Sequence, residues 1–236
     1  MEWVKRTVLK MAADIMANDD NLEGIIKNLD NETNEINIKL RAPENRYVIH
    51  CISVLMFNLA EQKYGETSVD PDDIYMLPEF LDIPRSYVGR TQKTETMPQE
   101  KHIICLGTLV TTWEQLFYEL AHETLHLLGP TDTNKSTVAR IEEGVAVKFA
   151  EDFYKDFVYP SIKRYTYSSP LSAPLSVYYK AYKATSKIPD DILKSIRSNF
   201  INFKDVKKEG LYKIAKSFIS EEEAEYLSLP FDYKAP

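Results

Sequence analysis

Apolar residues recur at helical spacing along most of the chain, and this pattern predicts a largely helical protein. The segment 46–64 keeps one apolar face until Gly65, which ends the helix. The same spacing predicts helices at 2–17, 46–64, about 112–128, about 137–159, 177–186, 190–201, 207–218 and 221–227. Residues 22–40 fit a helix at first and then alternate, as a strand does, at 36–40.

Strand-like patterns are short and lie in the middle of the chain. Residues 66–100 contain four prolines and are expected to be irregular, with short strands near 74–77 and 87–89. Residues 102–107 form an apolar, β-rich run that predicts a third strand. Together the patterns predict an α+β fold that is mainly helical, with a small sheet packed on a pair of helices.

Start and stop signals surround the helix predicted at 112–128. A capping-box pattern from Thr111 to Glu114 opens it, and Gly129 followed by Pro130 ends it. After a polar loop at 131–136, the next helix is expected to begin near Thr137 and to end at Pro160.

Charge and composition divide the chain near residue 160. The 236 residues carry 29 Lys and Arg against 36 Asp and Glu, a net charge of -7, and 44% are hydrophobic. This composition excludes a largely disordered chain and disfavours a protein that coats nucleic acid. The last 76 residues, however, carry 13 basic and 9 acidic side chains and contain a Pro/Ser stretch at 167–176. We therefore expect a catalytic region at 1–160 and a helical C-terminal subdomain at 161–236.

The cysteines and the apolar runs indicate which cellular compartment the protein is expected to occupy. Cys51 and Cys105 are far apart and in no CxxC pair, so we expect two free thiols and a reducing environment. No targeting segment is visible, and no apolar run approaches the roughly 18 residues that a membrane span needs. The expectation is a cytoplasmic protein without a membrane segment.

The sequence His122-Glu123-Thr124-Leu125-His126 is the stretch that carries chemistry. On a helix, residues four apart share a face, so His122 and His126 can bind one metal ion while Glu123 lies beside it. Zinc held by two neutral imidazoles and a carboxylate keeps a fourth position for water, whose proton a nearby carboxylate can take. The motif therefore predicts one Zn²⁺ per chain, with Glu123 as the catalytic base.

Spacing alone leaves the third zinc ligand open. Asp132 follows Gly129 at the distance found in the aspartate form of the metzincin motif. Glu142 and Glu143 lie on the next predicted helix and are equally able to supply a carboxylate. Metzincins also place a methionine turn below the metal, and no methionine follows His126, which disfavours Asp132.

The stretch from Trp113 to Asp152 resembles the gluzincin zinc metallopeptidases, including minigluzincins and small cytoplasmic peptidases that cleave repressors. In that family a helix bearing HExxH is paired with a helix that supplies a glutamate in a Glu-Gly-x-Ala setting, as at Glu143–Ala146. The resemblance implies a zincin-like helix pair with a helical C-terminal lobe. It also implies that His122, His126 and Glu143 bind zinc. Glu142 is expected either to accept a hydrogen bond from one of these ligands or to be a solvated charge.

The resemblance also raises the question of what stabilises the oxyanion. Gluzincins commonly use a downstream Tyr or His, but this chain has no histidine after His126. The tyrosines that remain as candidates are Tyr165, Tyr167, Tyr178 and Tyr179.

The strand at 102–107, which begins at His102, is expected either to pair with an extended substrate or to be a core strand. His50 is assigned a structural role, and Glu119 is either a partner of an imidazole or a surface residue.

Two classes of function follow from these features. The leading expectation is a zinc metallopeptidase, a hydrolase acting on a peptide or protein substrate. The alternative is a binding or regulatory module that keeps a zinc site and holds nucleic acid or a protein through the Tyr- and Lys-rich stretch 176–187. Hydrolysis of another amide or an ester remains open, because the same water activation serves those bonds. The oligomeric state is not predicted.

Overall fold

The computed structural model describes residues 43–95, 97–131, 138–159, 166 and 168–232. The helix predicted at 2–17 and the mixed segment 22–40 lie outside these residues. The described part contains seven α-helices and a three-stranded sheet, so the mainly helical α+β class is confirmed. The helices are α1 (Pro43–Tyr64), α2 (Trp113–Leu127), α3 (Arg140–Phe153), α4 (Val177–Thr185), α5 (Asp190–Phe200), α6 (Lys208–Ala215) and α7 (Glu221–Ser228).

The sheet has the order β1-β3-β2. Its strands are β1 (Ile74–Phe80), β2 (Tyr87–Arg90) and β3 (His102–Leu106), with β1 parallel and β2 antiparallel to β3. Strand β3 is buried along its whole length and is paired on both sides. The expectation that residues 102–107 pair with an extended substrate is therefore wrong, because both hydrogen-bonding edges of β3 are already occupied.

Strand β1 continues through a proline that the sequence prediction used as a breaker. The pairing of β1 with β3 shifts register between Tyr75 and Glu79, and Pro78 lies inside that irregularity. A proline has no N–H to donate, so it is tolerated in a strand that lies at the edge of a sheet. β1 is such an edge strand and is consequently three residues longer than the segment 74–77 predicted for it.

Helix α2 lies in the centre of the described part and contacts α1, α3 and β3. Its apolar residues Leu116, Leu120 and Leu127 are fully buried, in keeping with helical spacing. The cap differs from the predicted one by a single residue. Thr112 is the N-cap and Gln115 closes the box, whereas the pattern had suggested Thr111 and Glu114. Gln115 accepts from the backbone N–H of both Thr111 and Thr112, which fixes the start of the helix.

Helix α3 begins three residues later than predicted. Ala139 forms a β-bridge with Pro230, and the N–H of Arg140 donates to the carbonyl of Leu229. These contacts hold residues 138 and 139 extended, so the helix begins only at Arg140. At its other end α3 continues as a π-helical turn, Tyr154–Val158, before residue 160, which lies outside the described residues.

The helices that follow residue 168 pack on α3 and α1 rather than on each other alone. Buried residues of α4 to α7 belong to the same apolar core as those of α2 and α3. Lys63 and Lys148 both pair with Asp152 and Asp190, which joins α1, α3 and α5. The division of the chain at residue 160 stays a prediction. Both cysteines are free thiols, and none of the described helices combines the length and apolarity that a membrane span needs.

Candidate metal centre

The two motif histidines share one face of α2 and meet a carboxylate from α3. The His122 and His126 rings lie 5.2 Å apart between centroids. Glu143, in the first turn of α3, places Oε2 3.3 Å from His122 Nε2 and Oε1 3.7 Å from His126 Nε2. The three predicted zinc ligands therefore converge in space. Asp132, the alternative from the metzincin spacing, lies outside the described residues.

The distances between these donor atoms suit a small tetrahedral ion. Zinc binds imidazole nitrogen and carboxylate oxygen at about 2.0–2.2 Å, so two ligand atoms of one tetrahedral site lie roughly 3.3–3.6 Å apart. The 3.3 Å between His122 and Oε2 of Glu143 lies within that range, and the 3.7 Å between His126 and Oε1 lies just beyond it. The Oε2 atom of Glu143 is also buried and lacks a well-aligned hydrogen-bond donor among the described residues. A buried acceptor without a donor is costly, and a cation there removes the cost.

Glu142 lies on the opposite side of the same imidazole. Its Oε1 is 2.7 Å from His126 Nδ1, at hydrogen-bond distance, while Nε2 of the ring faces Glu143. A carboxylate that accepts from Nδ1 keeps the proton on that nitrogen and leaves Nε2 free to bind a metal. Of the two roles expected for Glu142, hydrogen-bond acceptor or solvated charge, the contact with His126 favours the acceptor.

Charge in the group is shared between the imidazoles and the carboxylates. Burial alone would raise the pKa of the Glu143 carboxyl, but the neighbouring His126 and His122 rings lower it. Burial opposes the charged form of His126, yet Glu143 and Glu142 outweigh it and raise the pKa of the ring to about 10. The pKa of His122 is raised as well, against burial, by its contact with Glu143. The carboxylates thus favour positive charge at the two imidazoles, and a bound cation would supply that charge in place of the ring protons.

Glu123 has the environment expected of a general base. Its side chain is only 5% exposed, and burial raises the pKa of its carboxyl to about 7, against the opposing effect of the two imidazoles. A base with a pKa near neutral can both take a proton and give it back at physiological pH. A divalent cation bound at the adjacent ligands would lower this value and keep Glu123 ionised.

The group opens into a cavity of about 430 Å³. His122 and Glu123 form part of its wall, facing the loop before β2 and the segment that leads into α4. The residues lining it are Pro84, Arg85, Ser86, Leu109, Gln115, Tyr118, Glu119, His122, Glu123, Val147, Ser168, Ser169, Pro170, Ser172, Ala173, Ser176 and Tyr178. The cavity therefore reaches two of the motif residues, His122 and Glu123.

Among the four candidate tyrosines, Tyr178 is the one that the described structure brings to the site. Its ring lies 6.2 Å from that of His122, and it lines the cavity. Arg85 stacks on the Tyr178 ring, with Cζ 5.8 Å from the ring centroid. Tyr179 is not part of the cavity wall, and Tyr165 and Tyr167 lie outside the described residues.

His122, His126 and Glu143 together are called the metal group. Other residues singled out from the sequence lie away from it. His102 is buried in β3, paired with Ile74 and Arg90, and does not line the cavity. His50 is in α1 and is likewise absent from the cavity wall. Glu119 lines the cavity but makes no described hydrogen bond to an imidazole. Glu119 is half-buried, so of the two expectations the described contacts disfavour the imidazole partner.

The Tyr- and Lys-rich stretch is used largely for packing. Tyr178 contacts His122 and also Phe231, at 4.7 Å between ring centroids, and Lys187 pairs with Glu223. Ala181 and Thr185 are buried against α3. Lys180 and Lys183 are exposed and Tyr179 and Tyr182 are half-buried, so binding of nucleic acid through this stretch stays a prediction.

Arg85, Tyr118, Ser169 and Glu151 belong to the site or its surroundings and were not predicted. Arg85 lies in an irregular loop, and its approach depends on Gly107, where an added Cβ would come within 2.7 Å of the Arg85 backbone. Tyr118 precedes His122 by one helical turn, and this spacing alone would have placed the two residues on one face of the helix. No local pattern pointed to Ser169 or Glu151.

Comparison of the chain with protein-family models, with curated proteins and with solved structures returned no match. Function is therefore inferred from the geometry of His122, His126 and Glu143, from the cavity beside them and from the sequence motif.

Proposed function

We propose that this protein is a zinc-dependent metallopeptidase. The observation that carries the proposal is the convergence of His122, His126 and Glu143 beside a buried Glu123 at the wall of an open cavity. Four polar groups of this kind are unfavourable to bury together unless they have a common partner. The gluzincin-like arrangement of the motif favours a peptide bond as the target, with hydrolysis of another amide or an ester as the nearest variation.

His122, His126 and Glu143 would hold the ion, and Glu142 would keep the His126 ring in the tautomer that binds it. Bound zinc supplies Lewis acidity that polarises a substrate carbonyl and acidifies water at neutral pH. The site's own residues then manage the protons. Glu123 takes the proton of the attacking water and delivers it to the departing amine, a double role that a buried carboxyl beside the ion can fill.

Tyr178 is the residue we assign to the developing oxyanion. Its ring lies 6.2 Å from that of His122 at the cavity wall. Burial, together with the charges of Glu143 and Glu123, raises the pKa of its phenol, so the hydroxyl keeps its proton. A phenol that stays protonated is able to donate a hydrogen bond to negative charge on the substrate throughout the physiological range. The two free thiols favour a reducing compartment, and we infer that the activity is cytoplasmic.

The test is turnover by the zinc-loaded protein on a library of internally quenched peptides. Wild type is expected to cleave members of the library. Glu123→Gln is expected to retain zinc and to lose at least about a hundredfold in kcat/KM, because the proton acceptor is gone. Glu100→Gln, on an exposed loop, is the matched control and should retain activity.

Full activity in Glu123→Gln would overturn the proposed mechanism. Zinc binding without cleavage of any peptide, amide or ester would overturn the proposed activity and favour the alternative, a zinc-containing binding module.

A further inference from the structure

The cavity continues away from the metal group along two facing helices. On α2, Gln115, Tyr118, Glu119 and His122 line it in successive turns. On α3, Val147 lines it one turn beyond Glu143, and Glu151 lies one turn further. From Glu143 to Glu151 the helix advances eight residues, or about 12 Å. The far end of the cavity therefore lies about 12 Å from the metal group along the helix. One long side chain of a substrate, together with its own backbone, spans about that distance.

A buried carboxylate orients the polar groups at that far end. Tyr118 Oη donates to Glu151 Oε1 at 2.8 Å, and Ser169 Oγ donates to the same oxygen. Glu151, Tyr118 and Ser169 are all more than nine-tenths buried. Each hydroxyl has one proton, and Glu151 accepts both, so towards the cavity the two hydroxyl oxygens can only accept hydrogen bonds.

The charges at this end of the cavity also favour a ligand that donates hydrogen bonds. Glu119 lines the cavity beside Tyr118 and places a second carboxylate there. Arg85, the one cation among the described lining residues, stacks instead on Tyr178 next to the metal group. The far end thus offers hydroxyl and carboxylate acceptors, and none of its described groups is a cation.

We propose that the Tyr118–Ser169 end of the cavity is a specificity subsite for a lysine or arginine side chain of the substrate. The ammonium or guanidinium group donates to Tyr118 Oη, Ser169 Oγ and Glu119, while the aliphatic stem contacts Val147. Glu151 acts behind the wall as a positioning residue that fixes the hydroxyls as acceptors. The inference depends on the proposed peptidase function, since it names the class of substrate for the same site.

The test separates binding from cleavage by using zinc-loaded Glu123→Gln. Acetylated, amidated hexa-alanine peptides carrying lysine at each position in turn are compared with peptides carrying norleucine, which has a similar shape without the charge. At one position the lysine peptide is expected to bind at least about tenfold more tightly, as a charge-assisted hydrogen bond predicts. Adding Glu119→Gln and Glu151→Gln should reduce that ratio to near one while the norleucine peptides bind as before.

Each outcome has a distinct meaning. Lysine preference in Glu123→Gln without cleavage by wild type supports the subsite and overturns the peptidase function. Cleavage by wild type without any lysine preference supports the function and overturns the subsite. A lysine preference that survives the Glu119→Gln and Glu151→Gln changes also overturns the subsite, and cleavage by wild type then decides the function separately. If no peptide is bound or cleaved, both are wrong.

Discussion

Glu142 Oε1 lies 2.7 Å from His126 Nδ1, and the next residue of α3 approaches the other nitrogen of the same ring. Consecutive residues of a helix differ in direction by about 100°, so they reach opposite sides of a ring only if the ring projects between them. The tight packing of α2 on α3 provides that geometry. The two glutamates consequently have different surroundings: Glu142 is the partner of Nδ1, and Glu143 is the carboxylate that the proposed metal ion would contact.

This division of roles predicts different effects on zinc affinity. Glu142→Gln should weaken zinc binding about 10- to 100-fold, as the loss of a partner to a ligating histidine does. Glu143→Gln should weaken it more, because a charged ligand is replaced by a neutral amide. Competition with a chromophoric chelator measures both. If Glu143→Gln bound zinc as wild type while Glu142→Gln did not, Glu142 would be the ligand instead.

Tyr178→Phe should reduce kcat/KM about a hundredfold and leave zinc affinity unchanged, because the variant removes one oxyanion donor and no ligand. Burial raises the pKa of Tyr178, so its phenol should stay protonated at moderately alkaline pH. The activity of wild type and of Tyr178→Phe should therefore depend on alkaline pH in the same way. Tyr179→Phe, which alters the neighbouring tyrosine outside the cavity wall, should retain activity within about twofold. Equal activity in wild type and Tyr178→Phe would show that the oxyanion is stabilised by another group.

The contact of α3 with α4 depends on the absence of a side chain at Gly144. An added Cβ would lie 2.2 Å from Thr185 Oγ1 and 2.7 Å from the Ala181 carbonyl oxygen. Alanine favours a helix over glycine by about 1 kcal/mol, but overpacking costs about 1–3 kcal/mol, and a backbone oxygen cannot move out of the way. We expect Gly144→Ala to be destabilising in urea unfolding.

Thr185→Ala should recover part of this loss when it is combined with Gly144→Ala, because it removes the closer of the two contacts. A Gly144→Ala protein as stable as wild type would mean that α3 and α4 are further apart than described.

Arg197 joins the end of the motif helix to the rest of the core. Its guanidinium donates to the carbonyls of Glu66 and Leu128, both at 2.6 Å, and is 5% exposed. Arg197→Met should cost about 3 kcal/mol, because two charge-assisted hydrogen bonds are lost and two carbonyls lose a donor. This corresponds to a fall in Tm of about 6 °C or more.

Lys194→Met is the matched control for Arg197→Met, since Lys194 donates to one backbone carbonyl at an exposed position. It should change the free energy of unfolding by at most about 0.5 kcal/mol. Similar losses in the two variants would show that burial of the Arg197 contacts adds nothing.

Much of this architecture was accessible from local pattern. Helical spacing gave the central helices to within a few residues, and the run at 102–107 gave β3. The HExxH spacing gave His122 and His126 because both lie on one turn of one helix, which is local geometry. The glutamate that joins them was found only by resemblance, since spacing alone allowed Asp132 and Glu142 as well.

Features that depend on distant segments were not accessible. The start of α3 is delayed by a bridge to Pro230, more than 90 residues away along the chain. β3 is central because β1 and β2 pair on either side of it, which periodicity does not encode. Ser169 meets Glu151 through the packing of a loop on a helix, and neither residue has a local pattern. Tertiary contact decided each of these outcomes.

The most direct test of the central claim is the metal content of the protein purified without added metal. We expect about one zinc ion per chain in wild type and in His50→Ala, whose histidine lies away from the site, and none in His126→Ala. Addition of micromolar zinc to the metal-free wild type should raise its Tm. A wild-type protein that contains no zinc, and whose Tm does not respond to added zinc, would contradict the proposed metal centre.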